Sequence, residues 1–263
     1  MPLPEQLHRF WIALDDLVAD VLPTDWGAVI TDARFPDVWD TNYARVDVES
    51  AVPLARIETD LLPALRRARV GVEHVVSFHH EAHGDLLSQL SSRGHRISWD
   101  LAMVLDRASW AAEALKEGVV VEELHPGGEL WAAAAGSMRD SFAIEPPAAV
   151  EQLLTLERAV LAPAGKRWFA VRGEDGTPAS LGTLLVLDGT GYIDNVATDP
   201  AARGRGYASA IVTQIGRETH RADAAGPFLL CDPGAPATVR FYERLGFAPA
   251  GFLASTKGTT PAA

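Results

Sequence analysis

The sequence predicts a mixed α+β protein built as two successive units. Three observations carry that expectation. Stretches rich in β-branched residues alternate with segments whose apolar residues recur every three or four positions. The series restarts at Val119, after an Ala-rich, charged stretch at 107–118 that reads as a linker. The composition is that of a folded chain, with 48% of the 263 residues hydrophobic and 22% charged. The expected domains are residues 1–110 and 118–257.

The first unit opens with a helix over 4–19, where Leu7, Phe10, Trp11, Leu14, Leu17 and Val18 form one stripe. A strand is expected at 26–31. The segment 34–43 is rich in aromatic and polar residues, has no clean period, and suits a substrate wall or a domain contact. A helix at 57–68 presents Leu61, Leu65 and Ala68. A β-branched strand follows at 71–78, then a short helix at 86–92 stopped by Gly94, then a strand at 99–105.

The second unit begins with a strand at 119–124 and helices at 128–139 and 147–161. A strand at 166–172 leads through Glu174-Asp175-Gly176-Thr177, which is turn chemistry, to strands at 181–187 and 192–198. A helix at 207–221, a strand at 228–231 and a helix at 237–245 closed by Gly246 complete it. Both halves end in strand, short helix with terminal glycine, strand (71–105 and 228–253), which suggests a degenerate internal duplication.

Charge excludes some functions. Lys plus Arg is 23 and Asp plus Glu is 35, a net charge of −12, which argues against nucleic-acid binding and against a polybasic membrane anchor. No apolar stretch reaches the length of a membrane span, and Glu5, Arg9, Asp15 and Asp16 occupy the place of a signal-peptide core. The expectation is a soluble, cytoplasmic protein, monomeric or homodimeric. The single cysteine, Cys231, excludes an internal disulfide and a cysteine zinc site.

The most informative stretch runs from Asn195 through Ala208. A strand ends near Thr198, Pro200 forces a turn, and two glycines open a helix. The first N–H groups of a helix have no internal partner, and the helix dipole adds positive character there. Gly204 and Gly206 let a phosphate approach the backbone, while Arg203 and Arg205 add charge. The combination is an anion site suited to a pyrophosphate. It is neither the dinucleotide fingerprint nor a Walker A loop.

The run Arg203-Gly204-Arg205-Gly206-Tyr207-Ala208 resembles the signature Gln/Arg-x-x-Gly-x-Gly/Ala of the GNAT superfamily of N-acetyltransferases. A second resemblance is Phe241-Tyr242-Glu243-Arg244-Leu245-Gly246-Phe247, similar to that family's late helix. The resemblance covers about 119–253. It implies a GNAT fold that is complete in the second half and shorter and degenerate in the first, as in two-domain members. It implies acetyl-CoA as co-substrate and no metal. The pyrophosphate would rest on Arg203, Gly204, Arg205, Gly206, Tyr207 and Ala208. The pantetheine would lie along Asn195, Val196, Ala197 and Thr198, with a backbone N–H there, Val196 foremost, facing the thioester carbonyl. Tyr242 would protonate the departing thiolate, a phenol of ordinary pKa about 10 being a proton donor at neutral pH. Where the family often carries Asn, seven residues before this Tyr, the chain has Ala235.

The proton acceptor for the amine is less constrained. Asp194 sits in an apolar strand, where a carboxylate is costly unless paired or functional. Strict alternation puts Ile193 and Asn195 on one face and Tyr192, Asp194 and Val196 on the other. Glu145 and Asp140 are alternatives, and solvent suffices if no base is used. Cys231 reads as a small buried apolar residue, not an acyl carrier. His79 and His83 have helical ligand spacing, but they follow a strand and read as solvated loop residues. The leading expectation is direct acetyl transfer to an amine on a small molecule or peptide. The alternatives are a non-catalytic acyl-CoA-binding module and an enzyme that acetylates protein.

Overall fold

The computed structural model describes residues 3–105 and 118–259. The expected linker at 107–118 lies outside the described residues except for Gly118. In chain order the elements are α1 (Glu5–Val18), β1 (Asp20–Pro23), β2 (Gly27–Thr31), β3 (Tyr43–Val46), α2 (Leu54–Ala68), β4 (Val72–Ser77), α3 (Gly84–Ser92) and β5 (Arg96–Leu105). They continue with β6 (Glu122–Leu124), α4 (Gly128–Asp140), α5 (Pro147–Leu156), β7 (Arg167–Arg172), β8 (Pro178–Leu187), β9 (Thr190–Thr198), α6 (Tyr207–Arg221), β10 (Ala225–Cys231), α7 (Pro236–Arg244) and β11 (Phe247–Thr259). No described helix is long and apolar enough to cross a membrane.

The chain folds as two compact units that are not contiguous in sequence. The first contains Met1–Ala102, Cys231–Gly234 and Ala250–Ala263; the second contains Met103–Leu230 and Ala235–Pro249. The expected ranges 1–110 and 118–257 were contiguous. The difference arises because most of β11 pairs with β4, Ala254 opposite Ser77 through Thr259 opposite Val72.

The first unit orders its strands β1-β2-β3-β4-β11-β5. Its core lies where α2 lays Leu54, Ile57, Leu61 and Leu65 on Trp26, Val29, Ala44, Val46 and Val75. The pattern reading overlooked β1 and β3. β1 is four residues with two exposed flanks, and β3 is buried on both faces, so neither shows a period of two.

The second unit orders its strands β10-β9-β8-β7-β6. α4 and α5 pack Leu130, Ala134, Met138, Val150 and Leu154 on Trp168, Ala170 and Leu181. α6 covers the other face. It comes so close that a Cβ on Gly182 would lie 2.6 Å from Ile211, and one on Gly191 2.7 Å from Thr219. α5 is shorter than the expected helix because its last turn widens into a π turn, Glu157–Leu161.

The succession α-β-β-β-α-β-α-β occurs twice, from α1 to β5 and from α5 to β11. In each copy the first three strands pair antiparallel, and the fourth joins the third in parallel after a crossover helix. The duplication expected from the late elements therefore extends over eight successive elements, with β6 and α4 outside it.

Glu73 in β4 is buried, with His95 Nε2 3.5 Å away. Burial, reinforced by Glu58, raises its pKa to about 7. A carboxyl raised in the fold contributes stability below its unfolded pKa that is lost as pH rises through the folded value. Glu73→Gln is therefore expected to match the wild type in thermal unfolding near pH 4, and to exceed it near pH 8 by on the order of 2 kcal/mol. Equal melting curves at pH 8 would remove this role.

Candidate active site

The site is built around an irregularity in β9. Leu181 faces Ala197 and Thr183 faces Asp194, so two steps along β8 meet three along β9. The extra residue is a β-bulge at Asn195, whose φ of 53° is left-handed. Asparagine accepts that conformation better than most residues. Alternation therefore fails here. Ile193 faces α6, because its neighbours Gly191 and Leu184 do, and past the bulge Val196 turns to the same side, 3.5 Å from where a Cβ on Gly182 would stand. Val196 and Asp194 were expected on one face; the bulge puts them on opposite faces.

The edge of β9 toward β10 opens at the same place. The parallel ladder between them holds Ala225 opposite Thr190 and Phe228 opposite Tyr192, and goes no further. From Ile193 to Thr198, β9 has a strand on one side only among the described residues. Backbone groups along that edge can receive an extended ligand as an added strand.

The open edge leads into the turn before α6. Asp199 accepts from the Ala201 N–H at 2.8 Å, fixing a short 3-10 turn over Pro200–Ala202. Gly204 and Gly206 adopt left-handed φ of 76° and 87°. No side chain caps α6, whose N-cap is Gly206, and space around Gly204 is open. Arg203 donates to the Thr198 carbonyl at 3.3 Å, and Arg205 pairs with Glu174 at 2.6 Å on the surface. An anion arriving here meets free helix amides and one arginine that exchanges an exposed partner for it. The matching connection of the first unit, between β3 and α2, carries Asp47 and Glu49, contains no glycine and ends on Pro53. That segment is unsuited to a phosphate.

Tyr242 lies in α7 with 7% of its surface exposed. Its ring meets Phe241 edge-on at 4.9 Å and Phe247 at 5.7 Å. Phe247 is buried as expected, whereas Phe241 and Leu245 are only half-buried. Ala235 is the N-cap residue of α7 and offers no polar side chain, and the nearby Asp232 is engaged with the Gly234 N–H at 2.7 Å.

Asp194 is half-buried in β9. Its side chain is 41% exposed, and its Oδ2 accepts from Lys166 Nζ at 3.4 Å and Asn195 Nδ2 at 2.9 Å. It is a paired carboxylate, not one isolated among apolar neighbours. Pattern reading missed Lys166 and Glu157, which meet at 2.6 Å with Lys166 5% and Glu157 4% exposed. The available signal was a lysine and a glutamate within apolar segments, where charges need partners. Burial opposes the charge on Lys166, but Glu157 and then Asp194 outweigh it and hold the ammonium above the ordinary lysine range. Asp140 and Glu145 are exposed around the α4–α5 connection.

Two other expectations resolve in the first unit. Burial pushes the Cys231 thiol up to about 11, which suits an inert side chain. His83 is buried, not solvated: Nδ1 meets Ser77 Oγ at 2.6 Å and Nε2 meets the Ser50 carbonyl at 3.2 Å, so both ring nitrogens are engaged. The described residues hold no group of three His, Cys, Asp or Glu fit for a metal.

The Acetyltransferase (GNAT) family profile matches residues 129–247. A functionally unknown conserved protein from Staphylococcus epidermidis is similar in structure with a TM-score of 0.71, at 13% identity, over 92% of this chain and 94% of that one. A GCN5-related N-acetyltransferase from Kribbella flavida gives 0.65 at 17% identity, over 97% and 95%. A tandem GNAT protein from the clavulanic acid biosynthesis pathway gives 0.55 at 9% identity, over 77% and 68%. At these identities the likeness establishes the fold. No curated protein matches the sequence.

Replacing both Gly204 and Gly206 by Val fills the cradle with Cβ branches at left-handed positions. Calorimetry with coenzyme A is expected to show at least a hundredfold loss of affinity, on the scale of several lost charge-assisted hydrogen bonds. Wild-type affinity in that variant would place the anion site elsewhere.

Proposed function

We propose that the second unit transfers an acetyl group from acetyl-CoA to an amine of a small molecule or peptide, by direct attack in a ternary complex and without a metal. One observation carries the reading: the unpaired edge of β9 ends at the glycine-opened start of α6, so one extended ligand can pair with the strand and rest its phosphates on the helix. Pantetheine would lie along Asn195, Val196, Ala197 and Thr198. The pyrophosphate would meet the amides from Gly204 to Ala208, with Arg203 and Arg205 beside them.

Coenzyme A is strongly anionic and its thioester arm is neutral. A cradle of N–H groups and arginines suits the first, and a half-open strand suits the second. The left-handed turn at Asn195 re-aims the next backbone N–H, that of Val196, and makes it the natural donor to the carbonyl oxygen. That oxygen gains charge as the amine attacks, so a fixed donor stabilises the transition state more than the ground state. Tyr242 is the proposed acid for the thiolate. Asp194, on the opposite face of the bulge from Val196, is the carboxylate open to the incoming amine.

A second reading, an acyl-CoA-binding module without turnover, is favoured by Ala235 in place of a polar residue and by the enclosure of Tyr242 among aromatic rings. Thiol release from acetyl-CoA across a panel of amines separates the two readings, since a binding module releases none. In the catalytic reading, Tyr242→Phe is expected to lower kcat about a hundredfold while acetyl-CoA affinity stays within threefold. Unchanged turnover in that variant takes Tyr242 out of the chemistry.

A further inference from the structure

We propose that Glu157, Lys166 and Asp194 form a fixed charge triplet that makes Asp194 the docking point for the ammonium group of a cationic acceptor, with Lys166 as the positioning residue. The proposal rests on the acyl-transfer reading above and specifies its acceptor class.

The placement follows from strand register. Asp194 faces Thr183, which faces Trp168, and Trp168 packs in the core formed with α4 and α5. Lys166 precedes Trp168 by two residues, and its Nζ stands 5.7 Å from that ring. The triplet therefore occupies the face of the sheet opposite α6, one residue from the bulge that directs the Val196 amide. An amine held there is beside the proposed thioester position and clear of the phosphate cradle.

The balance of charges and hydrogen bonds points to the missing partner. Glu157 and Lys166 neutralise each other at 2.6 Å in the interior. Asp194 adds a second negative charge, held by the same ammonium at the longer distance of 3.4 Å. Both bonds to Asp194 fall on Oδ2, and Oδ1 accepts none among the described residues. Glu157 Oε2 is also buried without a partner among them. Two carboxylates offer four oxygens, and only one on each is used. The cluster is short of donors and carries a net negative charge, and its exposed end is Asp194. A ligand that supplies N–H groups and positive charge completes it; an anion or a neutral acceptor does not.

Lys166 gives Asp194 its role in two ways. Its charge keeps a second carboxylate tolerable beside Glu157, and its hydrogen bond turns Oδ2 inward so that Oδ1 remains for the ligand. An alkylamine reaches the site as RNH3+. The ammonium pairs with Asp194, releases a proton to solvent, and the neutral nitrogen attacks the acetyl carbonyl. The C–N bond forms, the C–S bond breaks, and the sulfur takes up the proton that the nitrogen loses on becoming an amide. The sum is RNH3+ plus acetyl-CoA giving the acetamide, coenzyme A and one proton.

The test is thiol-release kinetics at saturating acetyl-CoA with two acceptors, an alkylamine charged at neutral pH and an arylamine neutral there. Wild type is expected to favour the alkylamine. Asp194→Asn is expected to raise its KM at least tenfold, with kcat within threefold and a several-fold smaller change in KM for the arylamine, so that the preference is lost. Lys166→Met combined with Glu157→Gln, which leaves no buried charge unpaired, moves KM the same way, and Lys166→Arg in the parent, which keeps the charge, moves it less. Should the double variant fail to fold, Asp194→Asn, at a half-exposed position, decides alone. A fall in kcat with KM intact makes Asp194 a base and overturns the docking role, as does an equal loss for both amines. A wild type that binds acetyl-CoA and acetylates no amine overturns the acyl-transfer reading, and this inference with it.

Discussion

The left-handed residue in β9 and the early end of its ladder with β10 constrain everything else in the second unit. A regular strand at this place would pair with β10 to its end and bury its backbone. With the bulge at Asn195 and no pairing past Tyr192 and Phe228 among the described residues, β9 from Ile193 to Thr198 has a strand on one side only. Backbone donors and acceptors of that kind are stable only against water or a ligand. The close seat of α6 on Gly182 and Gly191 then sets the start of the helix at the end of the open edge. Strand edge and helix terminus become one continuous surface, polar by backbone and positive at one end.

The same plan appears twice in the chain with different outcomes. The first unit repeats the order of helices and strands and the parallel crossover, yet its connection from β3 to α2 is acidic and closed by proline. Its buried polar groups serve each other instead: Asp15 with Arg45 and Tyr43, Arg45 with Asp47, and Asp47 with His8. A fold can be kept by its apolar core while the anion site is lost through one loop, since the two depend on different residues.

Much of this was legible in the sequence. Each of the seven α-helices among the described residues was placed from the sequence, α1, α2 and α5 through an apolar stripe, and the glycine-opened start of α6 was readable because Gly204 and Gly206 stand where a strand gives way to a helix. What escaped was set by tertiary context. The short β1 and the doubly buried β3 carry no alternation. The bulge at Asn195 inverts the facing of Val196, and only the register against β8 reveals it. The partnership of Asp194 with Lys166 joins residues far apart in the chain, brought together by strand order. The buried state of His83 likewise depends on Ser50 and Ser77, which no local pattern connects to it.

We propose that the open edge of β9 and the start of α6 form one coenzyme-binding surface. Amide hydrogen exchange of the intact protein with and without coenzyme A tests it most directly. Slowed exchange is expected on ligand addition in two segments together, 193–198 and 204–210. Protection confined to the first unit, or none at a coenzyme concentration well above millimolar, contradicts it.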